Sequence, residues 1–113
     1  MIIIHGMDSP AILPRLLAPC VERALRVAPV VVITGARQTG KSTLARAVEP
    51  KRNRLYVTLD DLDVRGDAQA HPHDLLRRAP RLTLDEVQHV PGLLSAVKRL
   101  VDQERVAGQF LLT

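Results

Sequence analysis

A chain of 113 residues, 46% hydrophobic and 25% charged, has room for one globular domain and has neither a disordered nor a fibrous composition. Its net charge of +4 is spread along the sequence and aromatics amount to only 2%, so no stacking platform for a nucleic-acid strand can be read. Nucleic acid as a partner rests on charge alone, and the single cysteine, Cys20, excludes an internal disulfide or a cysteine-built zinc site and fits a reducing cytoplasm.

The opening Met1-Ile2-Ile3-Ile4 is apolar but is broken at once by His5, Gly6 and Asp8. It is too short for a signal segment or a membrane span. Between Pro14 and Val27, the residues Leu16, Leu17, Val21 and Leu25 recur at near-helical spacing among charged neighbours, which predicts a short amphipathic helix starting after Pro19. Val30-Val31-Val32-Ile33 is a β-branched run, the pattern of a strand buried on both faces of a parallel sheet.

Directly after that strand stands Gly35-Ala36-Arg37-Gln38-Thr39-Gly40-Lys41-Ser42, the spacing Gly-x-x-x-x-Gly-Lys-Ser. Such a loop needs glycines so that successive backbone N–H groups can close on phosphate oxygens. Lys41 then brings a mobile positive charge to the β- and γ-phosphates, and Ser42 offers a hydroxyl to Mg²⁺. The helix read from Lys41 to Val48 turns its positive dipole end toward the anion. Strand, glycine loop and helix in that order are the context that makes the motif specific.

Leu55 to Leu59 reads as a second strand closed by Asp60-Asp61, acids that either touch metal or ribose or cap the next turn. Residues 62–80 suit two short helices separated by His71-Pro72-His73-Asp74, whose histidines lack a third ligand nearby and read as surface residues. Leu82-Thr83-Leu84 forms a third strand ending in Asp85-Glu86. This is the form of a Walker B strand, which places Asp85 at the carboxyl end of the sheet to hold Mg²⁺ and Glu86 beside it to polarise a water. The competing reading is an acidic helix start. Gln88 and His89 follow, Gln88 as a nucleotide sensor or as a polar helix start. The stripe Leu93, Leu94, Val97, Leu100 and Val101 predicts an amphipathic helix from Leu93 to Val106 packed on the core, and Phe110 to Thr113 reads as a fourth strand. Strands alternating with helices argue for right-handed crossovers and an α/β fold, a three-layer α/β/α parallel sheet.

The phosphate loop with its internal Arg37-Gln38, then Tyr56-Val57-Thr58-Leu59-Asp60-Asp61, then Leu84-Asp85-Glu86-Val87-Gln88 with Pro91, Leu93 and Leu94, and Val101-Asp102, resemble the prokaryotic AAA-type ATP-binding proteins. The resemblance covers about Arg15 to Thr113. It implies a P-loop ATPase domain with ATP and Mg²⁺ as cofactors. The phosphates would be held by Gly35, Ala36, Arg37, Gln38, Thr39, Gly40, Lys41, Ser42 and Thr43, the metal by Ser42 and Asp85, and catalysis would fall to Glu86 and Lys41. It further implies that the strand at 110–113 lies between the P-loop strand and the Walker B strand, with Thr113 at a sensor position. On this reading residues 1–28 are an N-terminal segment and helix, and residues 29–113 are the nucleotide-binding core with about four strands. The fifth strand, lid, arginine finger and C-terminal domain would lie beyond residue 113. Assembly into a homo-oligomer or with a partner protein would complete the site, and the alternative is a nucleotide-binding or interaction module without turnover.

Overall fold

A computed structural model of the chain describes residues 1–5, 13–34, 39–48 and 54–113; the side chains at 5, 13–16 and 39–42 fall outside the description. Five strands run in sequence as β1 (Ile2–His5), β2 (Val30–Thr34), β3 (Leu55–Thr58), β4 (Leu82–Asp85) and β5 (Phe110–Leu112). Between them lie α1 (Leu13–Leu25), α2 (Thr39–Ala47), α3 (Leu62–Ala70), α4 (Pro72–Leu76) and α5 (Gly92–Glu104), with a short 3₁₀ turn at Val87–His89. All strands are parallel, in the order β1-β2-β5-β4-β3. The strand that follows β2 in sequence, β3, is thus an edge strand, and β5 sits between β2 and β4 as the resemblance implies.

Strand alternation divides the core in two. On one face Val31 and Ile33 of β2 and Leu111 of β5 pack under Val21 and Leu25 of α1 and Leu44 and Val48 of α2. On the other face Leu82 and Leu84 of β4, Val57 of β3 and Phe110 and Leu112 of β5 pack under Leu75 and Leu76 of α4 and Leu93, Val97 and Leu100 of α5.

Two sequence expectations change. The sheet has five strands rather than four, because Ile2–His5 joins the free edge of β2 in register Ile2 to Val31 through His5 to Thr34. Residues 2–5 carry no signal in the sequence of the edge they pair with. Their pairing comes from the β2 edge, and Ile2 and Ile4 reach the core beneath α1. The first helix also begins at Leu13 rather than after Pro19, which lies exposed inside it. Proline removes one helical hydrogen bond. Packing of Leu17, Val21, Ala24 and Leu25 against the sheet outweighs that loss.

The lower ends of the strands are fixed by Arg54 and Gly108. The Arg54 guanidinium donates to the carbonyl of Leu82 at 3.0 Å and to that of Gly108, joining the entries to β4 and β5. Gly108 has φ of +75°, and a Cβ there would stand 2.9 Å from the Leu25 carbonyl oxygen. Only glycine meets both demands without strain.

Candidate functional site

The parallel order brings the carboxyl ends of β2, β5, β4 and β3 to one rim, and α2 begins at that rim just after β2. Ligands of open α/β sheets bind there. Of the residues read as a phosphate cradle, Gly35, Ala36, Arg37 and Gln38 lie outside the described residues. Thr39, Gly40, Lys41 and Ser42 form the first turn of α2, their side chains outside the description, and Thr43 is an exposed residue of the same helix.

Asp85 ends β4 and is 1% exposed. Its side chain emerges on the α2 face, because Leu82 and Leu84 occupy the opposite one. Two hydroxyls hold the carboxylate: Tyr56 Oη donates to Oδ2 and Thr113 Oγ1 donates to Oδ1. The backbone repeats the tie. Leu59 N donates to the Asp85 carbonyl at 2.9 Å, Thr113 N to the Leu84 carbonyl at 3.0 Å and Val87 N to the Thr113 carbonyl at 3.0 Å. A buried carboxylate is stabilised only by such partners.

The sequence places Tyr56 on a strand and in the family pattern but assigns it no partner. The β3–β4 register sets Tyr56 beside Thr83 and Thr58 beside Asp85, which brings the phenol within reach of the carboxylate. The Arg46 guanidinium lies 4.9 Å from the centre of its ring. Burial raises the phenol's pKa above 10.0, and the hydrogen bond to Asp85 raises it further, while Arg46 opposes both.

Glu86 follows Asp85 in a left-handed conformation, φ 60° and ψ 43°. A bulky residue adopts that conformation only when its surroundings hold it. Its carboxylate accepts a hydrogen bond from the Gln88 side-chain amide. Next to it His89 Nε2 meets Asp60 Oδ1 at 2.9 Å, and ligand atoms of Asp60, Glu86 and His89 lie within 4.8 Å of one another. Asp61, by contrast, caps α3, accepting from Asp63 N at 2.9 Å and Val64 N at 3.4 Å. The two adjacent acids therefore divide, Asp60 facing the rim and Asp61 ending in the capping role.

Among the described residues no helix is long and apolar enough to cross a membrane. Over 92 residues, 80% of this chain, the sequence is 36% identical to uncharacterized proteins of Mycobacterium bovis and Mycobacterium tuberculosis. The matched stretch is 21% of each of those proteins, so the chain spans about a fifth of the length of the curated relatives it matches. No solved structure matches the sequence. The family model described as an AAA domain matches residues 27–113, a span that runs from the foot of β2 through the Asp85 rim to Thr113. With the parallel sheet and that match in agreement, the chain belongs to the AAA domain family of nucleotide-binding, ATPase-like domains.

Proposed function

We propose that the domain binds ATP with Mg²⁺ and hydrolyses it. Residues 35–43 would surround the phosphates, Lys41 would neutralise the β- and γ-phosphates, and Ser42 and Asp85 would hold the metal. The observation that carries this reading is the Asp85 carboxylate, buried at the rim where α2 begins and fixed by Tyr56 and Thr113. The Asp85 carboxylate and the Ser42 hydroxyl offer oxygen ligands only, the donor type that suits Mg²⁺. Bound there, the metal would supply charge neutralisation to the phosphates.

Glu86 would take the proton of the attacking water, and its fixed backbone and the Gln88 contact give that carboxylate a defined direction. The same contact favours a second reading, nucleotide binding without turnover by this chain alone, because Gln88 engages the carboxylate that must accept the proton. Thr113, hydrogen-bonded to Asp85, would report the state of the nucleotide to β5.

Lys41→Ala should weaken binding of a fluorescent ATP analogue tenfold or more. Glu86→Gln should bind it as wild type does while phosphate release falls a hundredfold. Unchanged affinity in Lys41→Ala would sink the binding reading. Wild-type binding with no phosphate release would favour the second reading.

A further inference from the structure

On the sheet face that α1 and α2 cover, the strands change character from one side to the other. Val31, Ile33 and Leu111 reach that face from β2 and β5 as apolar core. Beyond them the same face is polar. Val57, Leu82, Leu84 and Leu112 point away from it, so alternation turns Tyr56 and Thr58 of β3, Thr83 and Asp85 of β4 and then Thr113 toward it. Thr83, Asp85 and Thr113 are all buried, and Thr83 Oγ1 has no hydrogen-bond partner among the described residues. Burying such groups costs stability that aliphatic side chains would supply, so the strip is explained by the site it lines and not by the core.

Within this strip Tyr56 links the Asp85 carboxylate to α2. Its hydroxyl donates to Asp85 Oδ2, while the Thr113 hydroxyl holds Oδ1, so the plane of the carboxylate is restrained through both oxygens. The ring carries the Arg46 guanidinium 4.9 Å from its centre. Arg46 stands in the last turn of α2, whose first turn includes Lys41 and Ser42. One short helix thus begins at the phosphate loop and ends on the tyrosine that steers Asp85. A tyrosine side chain has few torsions to fix, and a cation stacked on the ring restrains them further.

We infer that Tyr56 is a positioning residue for the metal: it fixes the Asp85 carboxylate in the orientation that a nucleotide-bound Mg²⁺ needs, and Arg46 fixes Tyr56. The inference rests on the reading that residues 35–43 bind ATP and that Asp85 holds its metal. Partners that hydrogen-bond a metal-ligating carboxylate orient it, and their loss weakens metal binding by about tenfold to a hundredfold. A metal that bridges the phosphates to Asp85 strengthens nucleotide binding. The ratio of nucleotide affinities in Mg²⁺ and in EDTA therefore reads the orientation of Asp85, and contacts made by the phosphate loop alone cancel from it.

The test measures binding of a fluorescent ATP analogue to the 113-residue chain in Mg²⁺ and in EDTA. Tyr56→Phe keeps the ring and removes the hydroxyl. It should bind the analogue in EDTA as wild type does and lose about tenfold of the gain that Mg²⁺ confers. Arg46→Ala should lose a smaller part of the same gain. In an Asp85→Asn background Tyr56→Phe should have no further effect, and Arg78→Ala, which breaks an exposed pair with Asp67, should change nothing. Thermal melts establish that each variant is folded. The inference is overturned if Tyr56→Phe keeps the full Mg²⁺ gain, if it weakens binding equally in EDTA, or if it still acts in Asp85→Asn. Wild-type binding that Mg²⁺ does not strengthen removes the metal role of Asp85 and this inference with it, whereas no binding by wild type in either buffer sinks the nucleotide reading beneath both.

Discussion

Tyr56 is the only tyrosine in a chain without tryptophan, so its ionisation can be followed by ultraviolet absorbance with no competing chromophore. In metal-free protein the phenol should titrate above 10.0, because burial and then the Asp85 hydrogen bond both favour the neutral form. The folded-state pKa is raised above the unfolded value. Its contribution to stability is therefore fully present below pH 10 and is lost as pH rises through the folded pKa. Asp85→Asn should bring the midpoint back part of the way, leaving the share due to burial. A wild-type midpoint at or below 10.0 would remove the Tyr56–Asp85 contact from the description. Asp85 and Glu86 were legible in the sequence as the acidic pair that closes an apolar run, and Thr113 through the family resemblance alone. Tyr56 was not, because its meeting with Asp85 depends on the register of β3 against β4, which spacing within either strand does not carry. The division of Asp60 from Asp61 was hidden for a related reason: both follow β3, and only the turn into α3 decides which one caps.

At the scale of elements, the entry to β5 hinges on Gly108. A left-handed φ costs an ordinary residue about 1–2 kcal/mol. The added Cβ must also displace the Leu25 carbonyl at 2.9 Å, a backbone atom at the end of α1. Gly108→Ala should thus lower the unfolding free energy by about 2–3 kcal/mol in urea melts. A loss under about 0.5 kcal/mol would show that the turn relaxes freely. The same scale explains which elements the sequence revealed. β2, β4 and α5 carry patterns strong enough to stand alone, while β1 exists by pairing with β2 and α1 passes Pro19 by packing. Leu93, Leu94, Val97, Leu100 and Val101 read as a single core stripe. In the fold Leu93, Val97 and Leu100 are buried, and Leu94 and Val101 turn to a more accessible flank. Helical periodicity identifies an apolar face but not how wide a neighbour covers it.

For the whole molecule, the rim joins the two halves of the core. β2 and α2 belong to the layer beneath α1, while Leu82 and Leu84 of β4 pack into the opposite layer and Asp85 closes the strand between them. A ligand that bridges α2 and β4 must therefore favour the fully assembled state over any state in which one layer has opened. At a concentration one hundred times its dissociation constant, such a ligand adds about 2.7 kcal/mol to unfolding. A domain of this size gains about 4–8 °C in Tm for each kcal/mol. Saturating ATP with Mg²⁺ should accordingly raise Tm by about 10–20 °C in calorimetry, and Lys41→Ala should abolish most of that gain at the same ligand concentration. An equal gain in Lys41→Ala would place the stabilising contact away from the phosphate loop, whereas no gain in either protein, with binding still seen by fluorescence, would mean that the nucleotide contacts α2 without reaching Asp85.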